Sequence, residues 1–260
     1  MLMGPIPAIA LTGVSKTYRT REGDVPSLQP IDLQIARGEI VSVVGPSGCG
    51  KSTLLKLVAG LLPPTGGGIS VSGHAVTRPH RDVGIVFQSP LLLPWRNVLR
   101  NVMLPVEVKR LKRAPYEERA RALLRLTGLE AFAGKYPWQL SGGMQQRAAI
   151  CRALVHDPDI LLMDEPFGAL DALTRESMNL ELQRIQMDTG KTVLLITHSI
   201  PEAVFLSDRV VVMTARPGAI AAEYDITLKR PRALGVMGEA EFGELTRSIR
   251  RHFHAQGSVD

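Results

Sequence analysis

The segment from Gly45 to Ser52 carries the spacing G-x-x-x-x-G-K-S, which is the pattern of a phosphate-binding loop. Glycines in such a loop let backbone N–H groups turn inward around phosphate oxygens. We predict that Lys51 reaches the β- and γ-phosphates of a nucleotide and that the Ser52 hydroxyl ligates Mg²⁺. The residues predicted to form this phosphate-binding loop are Gly45, Pro46, Ser47, Gly48, Cys49, Gly50, Lys51, Ser52 and Thr53.

Two acids, Asp164 and Glu165, directly follow the apolar run Ile160–Met163. A carboxylate at the end of a buried strand is unfavourable unless a cation or hydrogen-bond donors accompany it. We therefore expect Asp164 to support Mg²⁺ and Glu165 to polarise an attacking water molecule. A phosphate-binding loop together with these two acids indicates the transfer of a γ-phosphoryl group to water.

A serine followed by two glycines, Ser141-Gly142-Gly143, opens a helical stretch that extends to Val155. A serine N-cap followed by glycines leaves backbone N–H groups free to bind an anion. The chain already has one phosphate-binding loop. A second anion site is explained if two copies pair head to tail and each offers this turn to the other's nucleotide. A plain N-cap is the alternative, which the glycine pair and Arg147 disfavour.

The composition is that of a globular protein with a buried core. The 260 residues carry a net charge of +6, and 45% of them are hydrophobic. Only 5% are aromatic and the basic residues are scattered, so we expect no nucleic-acid partner. No apolar run reaches the roughly 18 residues that span a bilayer, and the start lacks the pattern of a signal peptide. These features predict a soluble, cytosolic chain that reaches a membrane only through a partner.

The two cysteines, Cys49 and Cys151, do not have the spacing of a zinc site or of a redox pair, as is usual in a reducing compartment. Because Cys49 lies inside the phosphate-binding loop, we expect alkylation of its thiol to block nucleotide binding and ATP to protect it. The thiol of Cys49 would then serve as a chemical probe of the loop.

Apolar runs alternate with helical stretches over most of the chain, and this alternation predicts an α/β fold with a parallel sheet and helices on both faces. The first 75 residues have mostly the pattern of strands, whereas residues 89–157 are helical and form an inserted subdomain. The predicted core strands are Ile40–Val44, Asp82–Phe87, Ile160–Met163, Thr192–Ile196 and Arg209–Met213, and the predicted helices are Ser52–Ala59, Pro115–Thr127, Ser141–Val155 and Leu173–Asp188.

In its order of motifs the chain resembles the ATP-binding subunits of ABC transporters, because ordinary P-loop kinases and GTPases have no use for the Ser-Gly-Gly turn. The resemblance extends from Ala8 to about Arg232. It implies a P-loop NTPase core of the ABC ATPase type with a mainly parallel sheet, an N-terminal antiparallel β subdomain and an inserted α-helical subdomain at about 89–157. It places the ABC ATPase domain at 1–230 and a helical tail at 231–260.

The resemblance also assigns roles outside these motifs. It implies that Gln88 touches Mg²⁺ or the attacking water and reports to the membrane partner, and that His198 contacts the γ-phosphate. It implies a D-loop at 169–171, whose Asp171 takes part in the nucleotide site. Tyr18 matches the aromatic residue that stacks on adenine, with an ordinary strand-end tyrosine as the alternative.

Residues 87–98 and 214–218 are similar to importers of the nitrate, sulfonate and taurine group. The resemblance places Trp95 where the permease docks its coupling helix, next to the predicted catalytic glutamine. The chain departs from the group at two positions. Met144 stands where glutamine or glutamate is usual, and Ser199 follows the histidine where aspartate is usual.

These features together predict the ATP-binding and hydrolysing subunit of an ABC importer on the cytoplasmic face of the inner membrane, taking up a small solute such as nitrate, a sulfonate or taurine. Its cofactors are ATP and Mg²⁺. Its expected partners are a second copy of the chain, an integral-membrane permease and, indirectly, an extracytoplasmic solute-binding protein. The alternatives are an ABC ATPase without a permease, acting in DNA repair or translation, and a P-loop kinase.

Overall fold

The computed structural model describes residues 6–168 and 170–254, so residue 169 of the predicted D-loop and the first five residues lie outside the described part. The strands are β1 Ile9–Thr20, β2 Gly23–Ile35, β3 Ile40–Val44, β4 Gly66–Val71, β5 His74–Ala75, β6 Val83–Val86, β7 Ile160–Asp164, β8 Thr192–Ile196, β9 Arg209–Met213 and β10 Ile220–Asp225. The helices are α1 Lys51–Val58, α2 Val98–Val102, α3 Leu104–Val108, α4 Arg113–Leu126, α5 Gly142–Leu154, α6 Ala172–Thr189, α7 Ile200–Leu206 and α8 Ala240–His254. Short 3₁₀ turns lie at Glu130–Phe132, Pro137–Gln139 and Leu234–Gly238.

A mainly parallel sheet with the strand order β10-β9-β3-β8-β7-β6 organises the molecule. Strands β9, β3, β8, β7 and β6 are parallel to their neighbours, whereas β10 pairs with β9 in the antiparallel direction. The predicted mainly parallel sheet is therefore confirmed. Because β3 lies between β8 and β9, the strand that leads into the phosphate-binding loop has a partner on each side.

Both faces of the parallel sheet are buried, which explains the continuous apolar runs of its strands. Consecutive side chains alternate between two hydrophobic clusters. Met163 and Leu195 belong to the cluster that includes the helical insert, and Leu162 and Leu194 belong to the cluster that includes α1 and the N-terminal strands. The two clusters hold the sheet from opposite sides.

A second sheet, antiparallel and ordered β2-β1-β4-β5, covers one side of the parallel sheet. Helix α1 contacts β2 and β4 of this sheet as well as β7 and β8 of the parallel sheet, so it lies between the two. Leu54, Leu55 and Leu57 of α1 are buried in the same cluster as Ile9. The predicted N-terminal antiparallel subdomain is confirmed, and it packs directly on the helix that follows the phosphate-binding loop.

Helices α2 to α5 lie between β6 and β7 in the chain and occupy the segment predicted to be an inserted subdomain. Helix α4 begins at Arg113, two residues before the predicted start at Pro115, because proline is tolerated in the first turn of a helix. Helix α5 follows the N-cap Ser141 as expected. None of the helices in the described ranges has the length and apolar character needed to cross a membrane.

The chain after β10 packs back onto the ATPase core. Helix α8 contacts α7, and its Phe242 and Ile249 are buried in the same cluster as the parallel sheet. The limit of the ATPase domain at residue 230 and the separate tail at 231–260 stay predictions.

Arg232 connects this terminal segment to the core. It is 2% exposed, and its Nη1 donates to the carbonyl oxygens of Val204, Phe205 and Ser207 at 3.0, 2.8 and 2.8 Å. Burial, together with the nearby Arg230, lowers the pKa of the Arg232 guanidinium to about 10. A buried cation that has carbonyl groups as its partners holds the end of α7 in place.

We expect Arg232→Leu to lower the free energy of unfolding by about 3 kcal/mol or more, because three buried carbonyl groups lose their donor. Urea unfolding at an unchanged m-value measures the difference. Arg251→Leu removes an exposed arginine of α8 and is the matched control, with an expected change within about 0.5 kcal/mol. A loss no larger than that of the control would contradict this role of Arg232.

Candidate active site

The carboxyl ends of four neighbouring strands carry the residues predicted to do chemistry. Strand β3 leads into the phosphate-binding loop, β8 precedes His198, β7 ends at Asp164 with Glu165 after it, and β6 precedes Gln88. Parallel strands end at the same edge of a sheet, where open α/β folds bind their ligands. The order β3-β8-β7-β6 therefore assembles groups that are far apart in the sequence.

Glycine shapes the phosphate-binding loop, and the lysine lies across it. Gly50 has a φ of +98°, and a Cβ atom there would lie 2.6 Å from Leu28 Cδ2, so a larger residue does not fit. Lys51 is buried, and its Nζ donates to Gly45 O at 2.7 Å and to Pro46 O at 2.9 Å. The ammonium group thus lies at the loop, where the N-terminus of α1 also favours phosphate.

Cys49 takes part in the loop through its backbone and not through an exposed thiol. Its side chain is 0% exposed and belongs to the hydrophobic cluster beneath the loop. Its N–H donates to Pro46 O at 3.3 Å. The side chain points into the core, which disfavours labelling of the thiol, and the effect of alkylation on nucleotide binding stays a prediction.

Asp164 and Ser52 contact each other, with Ser52 Oγ donating to Asp164 Oδ1 over 3.1 Å. Burial raises the pKa of the Asp164 carboxyl, the bond from Ser52 opposes that change, and the Glu165 carboxylate raises the pKa further. A buried carboxylate beside a hydroxyl and a second acid favours a bound cation.

The donor set at Asp164 fits Mg²⁺. Within residues 6–168 and 170–254, no cluster of three His, Cys, Asp or Glu side chains could hold a metal ion. Mg²⁺ in nucleotide sites is held by one or two protein oxygen ligands together with substrate phosphates and water. Ser52 and Asp164 supply such oxygens.

Glu165 is in contact with side chains from both neighbouring strand ends. Gln88 Nε2 donates to Glu165 Oε2 at 3.0 Å, and His198 Nδ1 lies 3.3 Å from the same oxygen. Glu165 has a φ of +45°, in the left-handed region that non-glycine residues adopt uncommonly. Its N–H donates to Ile196 O at 2.8 Å, which holds the turn against β8. The structure thus places the three predicted catalytic side chains side by side.

A cleft of about 360 Å³ opens at the phosphate-binding loop. Tyr18 lines it with its hydroxyl 3.3 Å from Thr53 Oγ1, so the residue predicted to stack on adenine lies beside the loop. Ser27 and Arg216 also line the cleft, and the motifs did not identify them. Ser27 is in β2, and the sole sequence signal for Arg216 is the family similarity of residues 214–218.

The Ser-Gly-Gly turn is exposed and begins α5. Ser141 Oγ accepts a hydrogen bond from Met144 N–H at 3.3 Å, and Ser141 and Gly142 are open to solvent. Gly143 is half-buried beside Leu170. Among the described residues that line the cleft, none belongs to this turn. The turn therefore does not serve the nucleotide cleft of its own chain.

Asp171 begins α6, and an arginine holds the segment in front of it. Asp171 Oδ1 accepts from Thr174 N–H at 3.0 Å, and hydrogen bonding from Thr174 lowers the pKa of Asp171. Arg175 donates to Leu170 O at 2.9 Å and to Phe167 O at 3.3 Å. Arg175 thereby holds the backbone at Phe167 and Leu170, between the predicted catalytic acid and the predicted D-loop aspartate. Sequence reasoning missed it because these contacts form only in the folded chain.

Ser199 replaces the usual aspartate without loss of a helix cap. Its Oγ accepts a hydrogen bond from Glu202 N–H at 3.3 Å at the start of α7. Serine and aspartate are comparable N-caps. The departure at this position therefore leaves the backbone after His198 supported.

A comparison with known protein families shows the family of the chain. The model of a family described as ABC transporter matches residues 28–168, more than half of the chain. The chain belongs to the ABC transporter family. This ABC ATPase binds ATP and hydrolyses it in a reaction that is coupled to transport. The match begins within β2, includes the phosphate-binding loop, and ends just after the paired acids.

Curated ABC transporter proteins match this ABC ATPase over most of its length. It is 48% identical over 224 residues to an uncharacterized ABC transporter ATP-binding protein of Methanocaldococcus jannaschii, covering 86% of this chain and 84% of that protein. It is 47% identical over 236 residues to the taurine import ATP-binding protein TauB of Rhizobium johnstonii, covering 89% of this chain and 90% of that protein.

A solved ABC structure has the same fold. The dimeric structure of a post-hydrolysis state of the ATP-binding cassette MJ0796, bound to ADP and Pi, matches with a TM-score of 0.77 at 35% identity. The match covers 85% of this ABC ATPase and 100% of that chain. The predicted ABC ATPase fold is confirmed.

We expect Glu165→Gln to slow ATP hydrolysis by about a hundredfold or more, because an amide cannot accept a proton from the attacking water. ATP binding should persist, since the phosphate-binding loop is unchanged. Phosphate release and ATP titration measure the two properties. Glu118→Gln removes an exposed acid of α4 and should leave hydrolysis unaltered. Turnover equal to that of the parent in Glu165→Gln would exclude Glu165 as the catalytic carboxylate.

We expect Asp164→Asn to be at least as stable as the parent in the absence of ligands, because it removes a buried charge. The variant should lose the extra thermal stabilisation that Mg²⁺ adds to that of ATP. Melting temperatures with ATP alone, with chelator and with added Mg²⁺ measure this difference. Asp225→Asn changes an exposed aspartate and should keep the Mg²⁺ effect. An undiminished Mg²⁺ effect in Asp164→Asn would contradict the proposed ligand.

Proposed function

We propose that this chain is the ATP-hydrolysing subunit of an ABC importer for taurine or a related sulfonate. The observation that carries the catalytic part is the contact of Glu165 Oε2 with both Gln88 and His198 beside the phosphate-binding loop. That arrangement offers a carboxylate, an amide and an imidazole at one point. Activation of a water molecule needs a base and polar groups that orient it, whereas a kinase would need a binding site for the second substrate, which receives the phosphoryl group.

The residues of the chain divide the chemistry among them. Lys51 and the loop N–H groups bind the phosphates, and Glu165 takes a proton from water. Gln88 and His198 orient the Glu165 carboxylate, and His198 is positioned to reach the γ-phosphate. Ser52 and Asp164 would hold Mg²⁺, and Gln88 is the third residue proposed as its ligand. When bound, Mg²⁺ neutralises charge on the β- and γ-phosphate oxygens.

A second copy of the chain completes the nucleotide site. The exposed Ser141 turn does not line its own cleft, which supports its use by the partner's nucleotide. Asp171 is the N-cap of α6 and follows a segment that Arg175 holds, which supports its proposed contact across the same interface. The dimer of the ADP-bound relative supports this arrangement. ATP binding closes the pair and hydrolysis reopens it.

The loop after Gln88 supplies a surface for the permease. Arg152 donates to Leu91 O at 2.7 Å, and the Asn101 side chain accepts from Leu93 N–H at 2.7 Å, so the loop is anchored on the helical subdomain. Leu91 and Trp95 are nevertheless 58% and 70% exposed. An anchored loop that displays large apolar side chains is typical of a docking site.

The docking loop and the catalytic centre share one backbone segment. Gln88 bonds to Glu165, and Trp95 lies seven residues further along the same segment. A movement of the permease at Trp95 therefore changes the support of the Glu165 carboxylate. We place the subunit on the cytoplasmic face of the inner membrane, where it meets the permease and, through it, an extracytoplasmic solute-binding protein.

The solute class is inferred from the relatives. Proteins named taurine import ATP-binding protein are 45–50% identical to this chain over most of its length. The segments 87–98 and 214–218 carry the same group similarity. Nitrate and sulfonates other than taurine are the other candidate solutes.

The test is the capture of a tagged Glu165→Gln chain with ATP from native membranes, followed by mass spectrometry. Uptake of taurine is assayed separately with the parent chain, which retains ATP hydrolysis. We expect a multi-span permease to copurify and Trp95→Ala to lose it while retaining ATP binding. Trp138→Ala changes a tryptophan that is 66% exposed outside the docking loop and should keep the permease. Trp95 and Trp138 are the two tryptophans of the chain.

Other outcomes separate the alternatives. ATP-dependent dimers that capture a soluble partner or none would favour an ABC ATPase of DNA repair or translation. If Trp95→Ala captures as much permease as the parent, the loop after Gln88 is not the docking site of the permease. Hydrolysis without dimerisation would favour a kinase-like enzyme.

A further inference from the structure

The connection between β9 and β10, residues 214–219, is a loop held by its own hydrogen bonds. Thr214 N–H donates to Ala219 O at 2.9 Å, and Ala219 N–H donates to Thr214 Oγ1 at 2.9 Å. The Thr214 hydroxyl also donates to Pro217 O at 3.4 Å. The backbone that carries Arg216 is therefore fixed in place.

Gly218 holds this loop against the phosphate-binding loop and against β2. A Cβ atom at Gly218 would collide with Cys49 O, so glycine alone permits this approach. Gly218 N–H donates to Ser27 O, and Gly218 O accepts from Gln29 N–H, both at 2.9 Å. Arg216 thus extends from a rigid support that adjoins the nucleotide cleft.

Arg216 is a cation of the cleft without a carboxylate partner. It lines the cleft together with Lys51 and Ser52, and its side chain is exposed. None of the ion pairs between described residues includes Arg216. Lys51, the other cation of the described lining, already donates to loop carbonyls.

We propose that Arg216 binds the phosphate chain of the nucleotide from outside the phosphate-binding loop. A guanidinium binds phosphate oxygens through paired N–H···O bonds, and a phosphate chain is the polyanion that this cleft receives. Stacking on the base is the other contact open to a guanidinium. The phosphate is favoured because the lining shared with Arg216 includes Ser47, Gly48, Lys51 and Ser52. The inference rests on the proposed nucleotide cleft.

Titration calorimetry of ATP binding tests the assignment. Arg216→Gln should raise the Kd for ATP roughly ten- to hundredfold, the range expected for a lost charged hydrogen bond. Arg216→Lys should lie between the parent and Arg216→Gln, since it keeps the charge and loses the paired geometry. Arg37 is an exposed arginine just before the start of β3, at the end of that strand away from the phosphate-binding loop. Arg37→Gln should bind ATP with the Kd of the parent. Unfolding midpoints equal to the parent's show that the variants are folded.

Competition experiments identify the part of the nucleotide that Arg216 contacts. Tripolyphosphate and adenosine are each used to displace a fluorescent ATP analogue. Weaker competition by tripolyphosphate in Arg216→Gln, with adenosine unchanged, supports a phosphate contact, and the reverse pattern overturns it. If Lys51→Ala abolishes ATP binding and Arg216→Gln leaves it unchanged, only the proposed role of Arg216 is contradicted, and the nucleotide cleft stands. If both variants bind like the parent, the proposed nucleotide cleft fails as well.

Discussion

The register in which β3, β8, β7 and β6 pair determines where every polar group of the catalytic edge lies. Val43 and Asp164 both pair with Ile196, and Val86 pairs with Met163. Side chains alternate between the two faces of a sheet, so a slip of one residue would move each apolar side chain to the wrong hydrophobic cluster. The same slip would separate the Asp164 carboxylate from Ser52. The two clusters thus stabilise the catalytic geometry without touching the substrate.

The sequence was sufficient for the features that depend on local pattern. The glycine spacing identified the phosphate-binding loop, and the apolar run before Asp164 predicted a buried strand that ends in an acid. The resemblance assigned Gln88 and Glu165 to one nucleotide site, but their contact appears only in the structure, because two residues so far apart in the chain carry no common periodicity. The role of Arg175 was not predictable from local pattern or from resemblance, since it consists of hydrogen bonds to backbone carbonyl groups that form only in the folded chain.

Cys49 illustrates a different limit of sequence reasoning. A motif specifies residue types and spacing, but the direction of each side chain follows from the backbone conformation and the surrounding packing. In this loop the backbone faces the cleft while the thiol enters the core. The reverse holds for Arg216, whose side chain reaches the cleft because Gly218 allows the backbone behind it to approach the loop. Packing therefore decides which residues of the two loops meet the ligand.

The central place of β3 has a consequence for biosynthesis. A ribosome releases this strand early, yet its neighbours β8 and β9 are translated last among the core strands, with Val43 and Ile196 about 150 residues apart. Until then both edges of the nascent strand lack their hydrogen-bonding partners. Long-range pairing of this kind slows folding and leaves the emerging chain prone to aggregation. The phosphate-binding loop, which begins at the end of β3, therefore gains its final support only after β8 and β9 have been synthesised.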